Sequence, residues 1–111
     1  MPVYQVSTLR IKPGRFQEFI AHQEAIRPIN ELYGLTNRRI LRASIAGDET
    51  GTVLIVSEFD DLAAWARWTE ERAKDPEYQA WRRATPHANP DSPATLLSTV
   101  LYTDVTPRSA S

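Results

Sequence analysis

Stretches of two-residue and 3.6-residue periodicity follow one another along this chain in the order extended, helical, extended, extended, helical, extended. Gly47-Asp48-Glu49-Thr50-Gly51 joins the two central extended stretches, and five residues with glycine at both ends suit a hairpin reversal. That order predicts an α+β chain: a four-stranded antiparallel sheet with helices on one face. With 111 residues there is enough chain for a single core. One domain over 1–105 is expected, followed by a frayed tail at 106–111.

Residues Val3 to Ile11 are rich in β-formers and read as the first strand. From Arg15 the period changes. Phe16, Phe19, Ile20, Gln23, Ile26, Arg27 and Asn30 fall on one arc of a helix. Pro28 lacks the backbone donor and clashes one turn back, so a kink near Glu24 or a break at Arg27 is expected. Gly34 is a suitable left-handed stop. Thr36 to Ala46 and Thr52 to Phe59 read as the second and third strands. Leu41, Ala43 and Ile45 face one way in the former, and Arg38, Ile40, Arg42 and Ser44 the other.

Asp60 is the expected N-cap of the next helix. Its inner arc is read as Leu62, Trp65, Ala66, Thr69, Arg72 and Ala73, with Trp68 about 100° from the centre by the ~3.6-residue period. Asp75-Pro76-Glu77 restarts the helix, with Tyr78, Trp81 and Arg82 on one face. The proline-rich run from Thr85 to Pro93 is a loop, and Leu96 to Val105 returns to strand character.

Composition narrows the chemistry. A net charge of −1 argues against nucleic-acid or membrane partners held by a basic surplus. No run approaches the ~20 apolar residues that span a bilayer, and strand character at Val3 leaves no room for a signal peptide, so a cytoplasmic location is expected. The absence of cysteine removes disulfides, thiolate nucleophiles and thiolate metal sites. With His22 and His87 as the two histidines, neither a metal site nor a cofactor is expected. Both faces of the second and third strands carry apolar residues (Leu41 and Ile45 against Ile40; Val53 and Ile55 against Leu54 and Val56). A sheet wet on one side would alternate cleanly, so an isologous homodimer burying the helix-free face is expected.

The run Leu9-Arg10-Ile11-Lys12-Pro13-Gly14-Arg15-Phe16-Gln17-Glu18-Phe19 resembles the dimeric α/β-barrel superfamily. So do Phe59-Asp60-Asp61-Leu62-Ala63-Ala64-Trp65 and Lys74-Asp75-Pro76-Glu77-Tyr78-Gln79-Ala80-Trp81. Within that superfamily the chain is most similar to NIPSNAP-like and antibiotic-biosynthesis-monooxygenase-like domains over roughly residues 3–105. The resemblance implies ferredoxin-like subunits whose sheets pack into a barrel, with a pocket between each sheet and its own helices. It also implies a small aromatic or polyketide-like ligand, and as one activity a cofactor-independent monooxygenation. A proton-transferring cyclase and a non-catalytic accessory or stress-type domain are the alternatives. The last would have a packed interior with no void above ~300 Å³.

Under that resemblance Trp65 and Trp68 are candidate ligand contacts, beside which the bland reading is core packing. His22 or His87 with Tyr78 would be the proton-moving pair, His22 being equally readable as a boundary residue with Glu18 one turn earlier. Arg38 and Arg42 would suit a carboxylate, enolate or phenolate if their strand face lines the pocket; in a dimer interface they would pair with acids such as Glu58. The haem-degrading branch of the superfamily pairs a helix Trp with a downstream His ligand and typically has Asn where this chain has Gln5. No histidine falls between Phe59 and Thr85 to match that ligand.

Overall fold

The computed structural model describes residues 1–43, 51–84 and 91–107. Its elements are β1 (Val3–Ile11), α1 (Phe16–Ala25), α2 (Arg27–Leu32), β2 (Asn37–Arg42), β3 (Thr52–Phe59), α3 (Leu62–Ala73), α4 (Pro76–Ala84) and β4 (Ala94–Thr103). The strands form one antiparallel sheet in the order β2-β3-β1-β4, so the fold is the expected ferredoxin-like α+β arrangement. Most of the expected Gly47–Gly51 reversal, His87, and the end of the tail lie outside the described residues.

Register assigns the faces. Val3, Gln5, Ser7 and Leu9 of β1 stand opposite Phe59, Ser57, Ile55 and Val53 of β3, and this face meets the helices. The other face carries Val6, Leu54, Val56, Leu41, Val100 and Tyr102. Its outermost members are open, with Leu41 48%, Val100 40% and Tyr102 53% exposed. Between Thr8 and Leu9 the pairing of β1 with β4 slips by one residue: Thr8 faces Ser98 but Leu9 faces Leu96, a β-bulge at Leu97.

The core lies in separate clusters. Val3, Leu35, Phe59 and Trp68 pack at one end of the sheet, and Leu9, Phe19, Val53 and Ala94 at the other. Ile26, Ile29 and Tyr78 join the first helical pair to α4. The chain breaks at Ile26, one residue before the expected position, and Pro28 sits in the first turn of α2, where a missing N–H is tolerated. Arg27 departs from the expected buried arc. It points outward and meets Glu24 at 3.3 Å, while Ile29 takes the inward position. Gly34 adopts φ +95°, the left-handed stop expected of it.

Two expectations for α3 are corrected. The N-cap is Asp61, whose Oδ1 accepts the Ala64 amide at 2.7 Å from an extended backbone; Asp60 lies one residue too early to reach that amide. The buried stripe is Trp65, Trp68, Thr69 and Arg72, while Leu62 is 57% exposed and Ala66 and Ala73 face solvent. An indole removes far more apolar area from water than Leu or Ala, so the helix rolls to bury Trp68.

Asp61→Ala should cost about 1 kcal/mol in urea unfolding, the usual loss on removing an N-cap. Asp60→Ala should stay within about 0.5 kcal/mol, as for exposed positions away from such features. Equal losses from the two would place the cap wrongly.

Candidate functional site

Between the apolar clusters the helix-facing side of the sheet turns polar. Arg38 of β2 pairs with Ser57 of β3, which pairs with Gln5 of β1, so the three make one rung across the sheet. The next rung holds Ser7, flanked by Ile55 and Thr99. These positions have the same two-residue phase as Val3, Leu9, Val53 and Phe59, yet carry polar groups.

Helices close over this band. The break at Ile26 leaves Gln23 and Asn30 both inward, 2% and 3% exposed. From α3 come Trp68 and Arg72, and from α4 Tyr78 and Trp81. Together with the two polar rungs they line a cavity of about 290 Å³. That is just under the ~300 Å³ at which ligand cavities usually begin, so its size is what the non-catalytic alternative also allows. A larger groove of about 590 Å³ lies between α2, α3 and the end of β3, among exposed side chains such as Leu32, Asp60, Arg67 and Glu71.

The electrostatics of the smaller cavity are one-sided. Arg38 donates to the Oε1 of Gln23. Burial, with the charge of Arg72 adding to it, pushes the Arg38 guanidinium down to about 10, still a cation at neutral pH. Arg72 is lowered by burial as well. Its guanidinium carbon sits 3.6 Å over the Trp68 ring and 4.6 Å from that of Tyr78, a cation held by two aromatic faces. Among the described residues, no Asp or Glu lines the cavity. The Nε1–H of Trp68 and the Oδ1 of Asn30 are buried without a hydrogen-bond partner among the described residues.

The structure brings together some of the residues singled out from the sequence. Arg38, Trp68 and Tyr78 line the cavity. Trp65 does not; its Nε1 donates to Gln5 Oε1 at 2.9 Å, and its ring packs against the cluster of Val3, Leu35, Phe59 and Trp68. His22 stacks on Trp81 with ring centroids 4.3 Å apart, and Trp81 Nε1 donates to the His22 carbonyl at 2.7 Å. Trp81 also lies 6.0 Å from the Tyr78 ring, so an indole stands in ring contact with both members of the expected proton-moving pair. Arg42 covers Phe16 at 4.4 Å and belongs to a separate groove with Lys12 and Pro13. Glu58 accepts from Tyr4 and Asn37 within the chain.

Gln5, Gln23, Asn30, Arg72 and Trp81 are among the lining residues not singled out as candidates from the sequence. Their signal was available: each is polar or bulky at a position whose periodicity points inward. Among the described residues, no group of His, Cys, Asp and Glu could hold a metal, and neither histidine nor cysteine lines the cavity to ligate haem iron.

The family model for antibiotic biosynthesis monooxygenases matches residues 2–84. Among solved structures, a NIPSNAP domain protein from Burkholderia xenovorans is similar at 25% identity and TM-score 0.63, over 97% of this chain and 100% of that one. A NIPSNAP family protein from Agrobacterium tumefaciens is similar at 18% identity and TM-score 0.65, over 96% and 98%. A variant of MhuD, with two manganese protoporphyrin IX molecules bound per active site, shares 18% identity and TM-score 0.67 over 97% and 99%. No curated protein matches the chain.

The wall formed by α4 is tied to α2 through one bond, from the Tyr33 hydroxyl to the carboxylate of Asp75, which also caps α4 through the Glu77 amide. The Tyr33 bond holds the Asp75 carboxyl below its ordinary 3.8, and the same bond raises the Tyr33 phenol above its ordinary 10.0. A depressed acid stabilises the fold above its ordinary value and loses that contribution as pH falls through the lowered one. A raised phenol does so below its ordinary value and loses it as pH climbs through the raised one. Melting temperatures should therefore favour the natural chain over Tyr33→Phe between these two ordinary values, with the gap closing in acid and in strong alkali. A gap that persists in acid would mean the bond does not depend on the ionised carboxylate.

Proposed function

Because the chain belongs to the antibiotic biosynthesis monooxygenase family, we propose that it binds a small aromatic or polyketide-like compound in the cavity beneath its helices. The observation that carries this reading is the lining itself. Trp68, Tyr78 and Trp81 offer flat apolar surface, while Gln5, Gln23, Asn30 and Arg38 offer hydrogen bonds that a packed core would not retain.

The reaction that suits this site is a cofactor-independent monooxygenation. Loss of a proton from an acidic methylene of a phenolic substrate leaves an electron-rich anion that reduces dioxygen. One oxygen atom becomes the new carbonyl, and the other leaves as water with the methylene's two hydrogens. Tyr78 brings a phenolic hydroxyl to the lining, more acidic than the alcohols of Ser7, Ser57 and Thr99, and we assign the proton transfer to it. His22 meets the cavity through Trp81, which makes it a positioning residue in this scheme. Trp65 holds Gln5 in the central rung in the same indirect way.

The functional unit in this reading is a homodimer, supported by the open apolar face of Leu41, Val100 and Tyr102. The absence of cysteine supports a cytoplasmic setting, and among the described residues no helix is long and apolar enough to cross a membrane.

Tryptophan fluorescence should be quenched on titration with tricyclic phenols and anthrones, because two of the chain's three Trp residues line the cavity. Oxygen consumption with an anthrone should fall about a hundredfold or more in Tyr78→Phe, the usual range for a lost acid–base group. No quenching across such a panel would refute ligand binding, and quenching without oxygen uptake would reduce the site to a binding function. Light scattering should give a dimer mass at micromolar concentration.

A further inference from the structure

We propose that the cavity takes its ligand as an anion, seating a carboxylate or phenolate oxygen between the guanidinium groups of Arg38 and Arg72. This rests on the ligand-binding reading above and adds the charge and the attachment point. Two cations from different elements, β2 and α3, reach one enclosure. Among the described residues neither meets a carboxylate within ion-pair distance. The acid whose charge bears on Arg38 is Glu24, and Glu24 is engaged by Arg27 at 3.3 Å on the outer surface.

Buried guanidinium groups are ordinarily matched by acids, because desolvating a charge without a counter-charge is costly. Among the described residues the groups in direct contact are neutral: the Gln23 carbonyl for Arg38, and the faces of Trp68 and Tyr78 for Arg72. A gap in that accounting of charge, located in a cavity, is what an anionic ligand would close. Arg82 on the rim adds a third positive group, and the Nε1–H of Trp68 is a buried donor with no partner among the described residues. The aromatic walls then receive the body of the ligand while the arginines fix its charged end, which sets the orientation of the remaining atoms.

Matched pairs of probes test this: 2-naphthoate against 2-naphthamide for the carboxylate, and 2,4-dinitrophenol (ionised at neutral pH) against its methyl ether for the phenolate. Titrations at pH 7 follow tryptophan fluorescence and heat. The charged member of at least one pair should bind about tenfold or more tightly than its neutral partner, as for a hydrogen bond to a charged group. The pair that shows the advantage identifies the source of the anionic oxygen. Arg38→Met and Arg72→Met should each remove that advantage by weakening the charged probe about tenfold more than the neutral one, while Arg83→Met, the same charge change on the outer surface, should leave the advantage in place. On the natural chain, needing no variant, the preferred anion should raise the melting temperature more than its neutral partner at equal concentration. Equal binding of charged and neutral probes, or an Arg83→Met effect equal to the others, overturns the anion seat and leaves the aromatic cavity standing. Binding of none of the four probes overturns both.

Discussion

The arrangement of this molecule turns on charge kept out of water without a matching acid. Arg38 stands on the edge strand β2, level with the polar rungs between the two apolar clusters, and Arg72 lies across Trp68 at the same cavity. A cation in such a place is held by whatever dipoles and π-faces the fold can bring, and the surrounding residues are disposed to bring them. Gln23 turns in to accept from Arg38, and Tyr78 flanks Arg72. Filling the same space with leucine would give a better-packed protein with no cavity to speak of.

The positions of those helpers trace back to local chain chemistry. Pro28 prevents α1 from continuing, and the short helix after it directs Ile26, Ile29 and Asn30 inward together. Asp75 ends one helix, starts the next, and accepts from Tyr33. That junction sets where α4 lies, and with it Tyr78 and Trp81. Trp81 is anchored at its own polar edge by the carbonyl of His22. The α4 wall is thus held by hydrogen bonds to the backbone and to a carboxylate outside the cavity.

Architecture was legible in the sequence because its signals are local. Alternation set the limits of β1 and β3 to the residue, Gly34 marked the stop after α2, and Asp75-Pro76 marked the start of α4. Where local signals were close competitors, the reading slipped by a residue, as between Asp60 and Asp61. The roll of α3 was misjudged because counting apolar positions weights Leu62 and the alanines like an indole, and burial does not. The site was less legible for a different reason. Which of several arginines, tryptophans and histidines share an enclosure depends on how α3 and α4 cross the sheet, and no spacing within one element encodes that. Arg38 and Arg42 look equivalent along β2, yet one enters the cavity and the other lies on Phe16. What one chain does reveal is polarity out of phase: Gln5, Ser7 and Ser57 occupy inward positions of strands that are otherwise apolar there.

The single surplus residue at Leu97 has an outcome of its own. Opposite β1, Thr99 and Leu96 both stand on the helix-bearing side although they are three residues apart, which an unbroken pleat forbids. The irregularity puts the strand half a step out of time, so a hydroxyl from one stretch and a hydrocarbon from the next both edge the same hollow. Were that surplus residue drawn into a regular pleat, Leu97 and Thr95 would turn toward the hollow and Leu96 and Ala94 away from it, exchanging greasy flooring for Thr95 without altering any helix.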